Sequence, residues 1–264
     1  MKRKLTWLML FLVFFPSGSY TEAGEKDNAQ AIRILCLGDS ITQSGGEHCG
    51  YRYSLWKKMI DHQMEFDFIG SMDKRFREQS GSDCPAYMGK VFDPDHEGHW
   101  AWRADEILGR PHDLPPESGK GHLSEWLKGY TPDIVLLHLG HNDAGHSEPP
   151  EQTAGELKQI IRLLQADNPD VSILLAKVIP SANPEWNAKV RLLNAEIDGV
   201  AADTRTATSD VVVMDFSTGF DPFTDTLDGT HPNEAGSEKM AEKWFGGIRK
   251  LLENPKPGKA ENQK

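Results

Sequence analysis

The chain has 264 residues, of which 38% are hydrophobic and 26% are charged, and its formal net charge is −11 at pH 7. This acidic balance argues against a nucleic-acid partner, because phosphates need a basic face on the protein. The length is enough for one substantial domain with a large core, and the sequence shows no internal repeat or second-domain boundary.

The N-terminus has the pattern of a secretory signal peptide. Lys2, Arg3 and Lys4 precede an almost unbroken apolar run at 5–15, and a Pro-Ser-Gly-Ser stretch follows. A basic start, a short apolar run and a small-residue exit are typical of such a leader. The apolar run is about half the roughly 20 residues that a membrane span needs, although a short membrane anchor stays an alternative. We predict a signal peptide at 1–23, a secreted or periplasmic protein and no stable membrane insertion after cleavage.

Strand and helix patterns alternate along the rest of the chain. Runs that are apolar on both faces predict buried strands at 32–37, 66–69, 134–139, 172–179 and 211–216. Helical spacing of apolar residues predicts helices at 53–63, 153–165, 185–200 and 234–252. This alternation is typical of a doubly wound α/β sandwich with a parallel sheet. The predicted catalytic domain spans 30–253, and the polar segment 254–264 is expected to be a disordered tail.

The cysteines suggest one bridge without establishing it. Cys36 lies within the first predicted strand and is expected to be a small core residue. Cys49 and Cys84 fall in polar, Gly-rich stretches of a chain that is predicted to be exported, so a disulfide between them is reasonable. It would close a loop of about 35 residues and contribute about 3–4 kcal/mol on the chain-entropy model. The pairing stays open at this point.

Polar side chains follow the predicted strands where an α/β sheet carries its chemistry, outside the carboxyl ends of the strands. Ser40 follows the first strand, in Gly-Asp-Ser, which suits a nucleophile whose attack creates an oxyanion near a helix N-terminus. Asn142 follows the third strand, and its amide can donate to that oxyanion. Asp228 and His231 lie three residues apart on a turn, so the carboxylate can orient the imidazole and leave the other nitrogen free to take a proton.

Each motif alone has an ordinary structural explanation. The serine could cap a helix, the Asn-Asp pair could form a turn, and exposed loops are rich in Asp and His. Together, however, the residues supply a nucleophile, an oxyanion donor, a base and an orienting acid. The combination predicts serine-dependent acyl transfer.

These motifs resemble those of a known family. Gly-Asp-Ser at 38–40, Gly-x-Asn-Asp at 140–143 and Asp-x-x-His at 228–231 are similar to blocks I, III and V of the SGNH/GDSL hydrolases. A finer resemblance is to the acetylxylan-esterase branch of the carbohydrate esterases, in Asp-Phe-Ile-Gly-Ser at 67–71 and Asp-His-Glu-Gly-His at 95–99. The likeness implies the SGNH hydrolase fold, a three-layer α/β/α sandwich around a flavodoxin-like, doubly wound parallel sheet of about five strands.

The resemblance also implies the roles of the site residues. Ser40 would be the nucleophile, His231 the general base and acid, and Asp228 the partner that orients His231. The oxyanion hole would combine the Ser40 amide, the Asn142 side chain and the backbone amide of Ala101 in block II.

Block II departs from the pattern of the relatives. They read His-Glu-Gly-His-Ser-Gly-Trp, whereas this chain reads His-Glu-Gly-His-Trp-Ala-Trp at 96–102, so Ala101 replaces a glycine. The amide donor survives if φ at Ala101 is negative, whereas a positive φ would strain alanine and could displace the donor. Loss of one such donor costs about 100- to 1,000-fold in rate. Trp100 beside it is expected to narrow the site and to change the substrate.

The implied activity is that of a secreted carboxylic ester hydrolase that acts on O-acyl, chiefly O-acetyl, esters of a polysaccharide or oligosaccharide. The implied partner is an acylated carbohydrate, and no cofactor is required. Asp39, Tyr51, Trp100 and His141 are predicted to contact the substrate. Two alternatives stay open: a lipid or aryl esterase or acyltransferase on the same triad, and a catalytically impaired carbohydrate-binding protein, which only Ala101 favours.

The ten histidines also raise the question of a metal site. His96 with His99, or His138 with His141, could share a metal if further ligands converged. The segment 96–99 is one residue short of the His-Glu-x-x-His zinc motif, and no carboxylate-rich partner motif accompanies it. We therefore expect no metal, and we expect His96 to support the block II loop.

Overall fold

The computed structural model describes residues 31–46, 48–80, 83–112 and 118–254. The predicted signal peptide lies outside these residues, as does the predicted tail after Asn254. Within the described ranges, no helix combines the length and the apolar character that a membrane crossing requires.

The strands are β1 (Ile32–Gly38), β2 (Phe66–Ile69), β3 (Lys74–Arg75), β4 (Gln79–Ser80), β5 (Glu97–Gly98), β6 (Ile134–His138), β7 (Ser172–Lys177) and β8 (Val211–Asp215). The α-helices are α1 (Ser40–Gln43), α2 (Gly50–Asp61), α3 (Ala104–Ile107), α4 (Leu123–Trp126), α5 (His141–Gly145), α6 (Pro150–Asp167), α7 (Pro184–Thr204) and α8 (Glu234–Glu253).

The five predicted strands form one parallel sheet in the spatial order β2-β1-β6-β7-β8. Numbered among themselves along the chain, these strands have the order 2-1-3-4-5, which is the flavodoxin-like order of a doubly wound sheet. The order reverses between β1 and β6, where Gly38 lies opposite His138. Connections leave to opposite faces at such a reversal, so a crevice for ligands forms there. The short strand β5 pairs with the end of β1 beside this crevice.

Helices cover both faces of the sheet, which confirms the predicted three-layer sandwich. Alternate residues of a strand point to opposite faces. Leu35 and Leu37 therefore pack in one core with residues of α3, α4, α6 and α7. Ile34 and Cys36 pack in the other core with residues of α2 and α8. All four side chains are fully buried, which explains why β1 is apolar on both faces from Ile34 to Leu37 and why Cys36 behaves as a core residue.

The four long helices are present, with ends that the apolar pattern does not predict. Pro150 and Pro184 begin α6 and α7, because proline at the first helical position forfeits no hydrogen bond and has a suitable φ. Gly50 begins α2 with a φ of 70°, which glycine adopts without strain. The helices α1, α3, α4 and α5 have four or five residues, too few to show a helical period in the sequence.

A disulfide ties down the long irregular segment at 71–98. Cys49 and Cys84 are bonded, with Cα atoms 5.9 Å apart, which answers the question that the sequence left open. The bond joins the residue before α2 to this segment. Met72 and His96 pair through two backbone hydrogen bonds of 3.1 and 2.8 Å. The loop is thereby held beside the carboxyl end of β1.

Candidate active site

Ser40 and Asn142 lie at the reversal point of the sheet. Ser40 is the first residue of α1, two residues after the end of β1, and Asn142 lies in the first turn of α5 after β6. Gly38 makes this approach possible, because a Cβ atom there would lie 2.3 Å from the His138 carbonyl oxygen. The two strand ends therefore bring the serine and the asparagine to the same crevice.

A continuous chain of hydrogen bonds links Ser40, His231 and Asp228. Ser40 Oγ lies 3.0 Å from His231 Nε2, and His231 Nδ1 lies 2.7 Å from Asp228 Oδ2. Asp228 Oδ1 also accepts from the backbone N–H groups of Thr230 and His231, at 3.0 and 2.8 Å, which fixes the carboxylate within its turn. When Nδ1 carries the proton and donates to the carboxylate, Nε2 is free to accept a proton from the serine.

Hydrogen bonding keeps Asp228 ionised. Partial burial would raise the pKa of this carboxyl, but hydrogen bonds from the backbone N–H and ring of His231 and from Thr230 outweigh it and hold the pKa below its usual range. An ionised carboxylate beside the imidazole attracts the positive charge that the ring gains during proton transfer. The arrangement can therefore take a proton from the serine and stabilise the charge that results.

Two side chains of α5 hold the segment that contains Ala101. Asn142 Nδ2 donates to the Trp102 carbonyl at 2.9 Å, which leaves the second amide hydrogen for another acceptor. Asp143 accepts from the Ala104 N–H at 3.0 Å, and burial raises the pKa of this carboxyl to about 8. Ala101 has a φ of 66°, in the left-handed region. The backbone thus adopts the conformation that strains alanine, the second of the two cases that the sequence left open.

A cavity of about 220 Å³ opens beside Ser40. Its walls include three glycines, one exposed leucine and one tryptophan: Gly45, Gly46, Gly50, Leu227 and Trp100. The Trp100 ring stacks on His231, with ring centroids 4.6 Å apart and planes inclined by 15°. A cavity of this size suits a small group attached to the nucleophile, since ligand pockets for larger molecules begin at about 300 Å³.

Sequence comparison decides the family. Residues 36–239 match the family described as GDSL-like Lipase/Acylhydrolase. This range contains Ser40, Asn142, Asp228 and His231. The chain belongs to this family. The predicted resemblance to the GDSL hydrolases is confirmed.

Three similar proteins are informative. The chain is 27% identical over 237 residues to a multidomain esterase of Ruminococcus flavefaciens, a match that covers 85% of the chain and 29% of the relative. It is 30% identical over 251 residues to an acetylxylan esterase of Xylanibacter ruminicola, covering 85% of the chain and 45% of the relative. The chain thus spans less than half the length of both. A crystal structure of a carbohydrate esterase family 3 protein from Talaromyces cellulolyticus superposes with a TM-score of 0.69 at 29% identity, covering 84% of the chain and 98% of that protein.

Three of the four predicted substrate contacts of this GDSL site are buried. Asp39 is 0% exposed and caps α1 by accepting from the N–H two residues on, at 3.0 Å. Tyr51 is 1% exposed, with its hydroxyl 3.0 Å from the Thr42 hydroxyl in the core. His141 is also 1% exposed, and burial lowers its pKa to about 3. These three side chains have almost no exposed surface, and their contact with a substrate stays a prediction. Trp100 lines the cavity.

The block II loop is supported by a buried glutamate, Glu97, to which the sequence motifs alone assigned no role. Glu97 is fully buried, and its carboxylate accepts from the Ser71 N–H at 2.8 Å and from the Tyr130 hydroxyl. It also lies 2.7 Å from His99 Nε2, whose ring stacks on Trp102 at 4.4 Å. Its place within the His-Glu-Gly-His motif at 96–99 was the available signal. These bonds position the segment that leads to Ala101.

His96 and His99, which the sequence analysis considered as metal ligands, have hydrogen-bond partners of their own. His96 Nδ1 accepts from the Gly98 N–H at 2.9 Å, and its Nε2 lies 3.0 Å from the Lys74 carbonyl, as expected for a residue that supports the loop. Among the residues that the structure describes, one group of three potential ligands has atoms within 4.8 Å of one another, and it contains no histidine. Its members are Asp143, Glu148 and Glu156. Arg103 Nε lies 3.1 Å from Glu148 in this group.

Proposed function

We propose that this protein is a serine esterase, a carboxylic ester hydrolase that removes small O-acyl groups, chiefly O-acetyl, from a polysaccharide or oligosaccharide. The observation that carries the proposal is the unbroken link from Ser40 Oγ through His231 to Asp228, with contacts of 3.0 and 2.7 Å. The names of the relatives, an esterase, an acetylxylan esterase and a carbohydrate esterase, support this enzyme class.

Acylation follows from the direction of the hydrogen bonds. Ser40 Oγ forms a bond to the ester carbonyl carbon while His231 Nε2 takes the hydroxyl proton. The carbonyl electrons move to oxygen and give a tetrahedral oxyanion. When that oxyanion collapses, the bond to the sugar oxygen breaks and His231 returns its proton to this leaving group. Asp228 stays ionised throughout and stabilises the imidazolium.

Deacylation repeats these steps with water as the nucleophile. His231 takes a proton from water as the water oxygen attacks the acyl carbon on Ser40. Collapse of the second tetrahedral intermediate breaks the bond to Ser40 Oγ, which regains the proton from His231. The products are the deacylated carbohydrate and a carboxylic acid, and neither step requires a cofactor.

The oxyanion would be bound by three donors. The Ser40 N–H is at the start of α1, where the first amides of a helix have no intrahelical acceptor. Asn142 would contribute the amide hydrogen that its bond to Trp102 does not use. The Ala101 N–H is the third donor, and the positive φ at this residue matches the conformation that a glycine would adopt there.

The acyl group is assigned from the size of the cavity. About 220 Å³ beside Ser40, with glycines in the wall, favours acetyl over a long acyl chain. The net charge of −11 is compatible with a neutral sugar ester and not with a nucleic-acid partner.

An exported location is part of the same proposal. The disulfide between Cys49 and Cys84 is typical of proteins in oxidising compartments, and the pattern at 1–23 is that of a signal peptide. A secreted or periplasmic enzyme would meet acylated polysaccharides there.

The decisive experiment measures acetate release from p-nitrophenyl acetate and from acetylated xylan. The variants are Ser40→Ala and, as a matched control, Ser124→Ala, which alters an exposed serine in α4. We expect turnover of both substrates by the wild type and the control and a loss of at least about 1,000-fold in Ser40→Ala. A fluorophosphonate probe should label the wild type once, at Ser40.

Each other result redirects the proposal. Turnover of p-nitrophenyl acetate without acetate release from xylan would support the esterase activity and indicate a substrate other than acetylated xylan. Activity that survives Ser40→Ala would refute the serine mechanism. Carbohydrate binding without turnover or labelling would favour the impaired binding protein.

A further inference from the structure

His231 stacks against a pair of aromatic side chains, Trp100 and Phe76. The Trp100 ring stacks on His231 with centroids 4.6 Å apart and planes 15° from parallel. Trp100 also stacks on Phe76, with centroids 4.0 Å apart and planes 14° from parallel. Three nearly parallel rings from three separate segments therefore meet at the site, and two of them have no part in the proton transfers described above.

The surrounding backbone is shaped around the indole. The Phe76 N–H donates to the Ser44 carbonyl at 3.0 Å, which fixes Phe76 beside the cavity. A Cβ atom at Gly45 would lie 3.1 Å from the Cβ of Phe76 and 3.1 Å from the Trp100 ring, so the glycine provides space for the two side chains. Ala101, which follows Trp100 in the chain, has a strained φ of 66°. Strain of this kind persists where surrounding contacts impose it, and it is common at functional sites.

We propose that Trp100 is a positioning residue that acts through His231, holding the imidazole ring and stabilising its protonated form with the face of the indole. The inference rests on the proposed esterase function. A tryptophan face attracts a cation within about 6 Å of the ring centroid. In the proposed reaction His231 gains its positive charge as the serine loses its proton, so the attraction is stronger in the transition state than in the ground state. Such a contact raises kcat with little effect on KM.

Other titratable groups face His231 and must be considered with Trp100. Asp228 accepts from Nδ1 at 2.7 Å. His48 lines the same cavity. His141 lies behind the site, where burial lowers its pKa to about 3 and keeps it neutral. None of these groups is substituted in the variants below, so a difference in kcat or in the His231 midpoint between the variants is due to the side chain at position 100.

The kinetic experiment compares Trp100→Phe, which keeps an aromatic face, with Trp100→Leu, which keeps an apolar cover without one. On p-nitrophenyl acetate we expect kcat of the leucine variant to fall about tenfold with KM within about twofold, and kcat of the phenylalanine variant to stay within about threefold of wild type. Equal kcat values for the two variants, or a loss confined to KM, would overturn the proposal and leave Trp100 as a steric wall. Unfolding midpoints check that both variants fold.

A second measurement does not need turnover. With ¹⁵N-labelled histidine, the signals missing from His231→Asn identify His231, and a pH titration gives its midpoint in each variant. The midpoint should fall by about 0.5–1 pH unit in Trp100→Leu and less in Trp100→Phe. Identical midpoints would refute the stacking argument even in an active enzyme. If the wild type does not hydrolyse esters but the His231 midpoint still differs between wild type and Trp100→Leu, the esterase proposal is refuted and the stacking argument stands.

Discussion

Ala101 provides a sharp test of the backbone argument, because its φ of 66° is one that glycine adopts freely and alanine does not. The left-handed region costs a non-glycine residue about 1–2 kcal/mol. Ala101→Gly removes this cost, but the unfolded chain gains freedom worth about 0.4–1 kcal/mol. Loss of a partly exposed methyl group removes a few tenths of a kcal/mol. The net expectation is a stabilisation of about 0.5 kcal/mol.

The same substitution at Ala195 is the matched control. Ala195 is exposed in α7, where alanine to glycine costs about 1 kcal/mol. The two variants should therefore differ by about 1.5 kcal/mol, with opposite signs relative to wild type. Urea unfolding under conditions that keep the disulfide intact measures both, with equal m-values as the check on two-state behaviour. If Ala101→Gly destabilises as much as Ala195→Gly, the strain assigned to Ala101 is wrong.

Three further predictions concern the site and its support. Asn142→Ala should lower kcat/KM by about 100- to 1,000-fold and the free energy of unfolding by about 0.5–1.5 kcal/mol, because the bond to Trp102 is lost, and a kcat/KM loss under tenfold would remove this side chain from the oxyanion hole. Replacement of Cys49 and Cys84 by alanine should lower the free energy of unfolding by about 3–4 kcal/mol, and a urea midpoint equal to wild type would contradict the estimate. Burial raises the pKa of Asp39 to about 7, so the folded state keeps a proton that the unfolded chain loses near pH 4, and wild-type stability should fall between these pH values. Asp39→Asn should therefore gain about 2–3 kcal/mol of stability relative to wild type as pH rises from 5 to 8, and a constant difference in urea melts would contradict this.

Local patterns in the sequence were sufficient for the sheet and for the residues at its edge. A parallel strand buried on both faces has to be apolar throughout, so β1, β6 and β7 are visible as continuous runs. Ser40 and Asn142 follow two of these runs directly, and the turn from Asp228 to His231 is short enough to be read as one motif. The short helices and the exact helix ends were not predictable, because they depend on caps and prolines and not on periodicity.

The sequence by itself determined the family, the sheet and the identity of the residues that converge at its reversal point, because each of these is encoded within a few adjacent residues. Only the tertiary structure decided which neighbours face the cavity. Tyr51 and His141 have side chains of a kind that can contact a sugar when they are exposed. The packing of α2 and α5 against the sheet buries both of them. Trp100 meets His231 because two loops from distant parts of the chain are held at the same edge of the sheet. Burial and ring stacking depend on what packs from elsewhere in the chain, and a local sequence pattern contains no information about that.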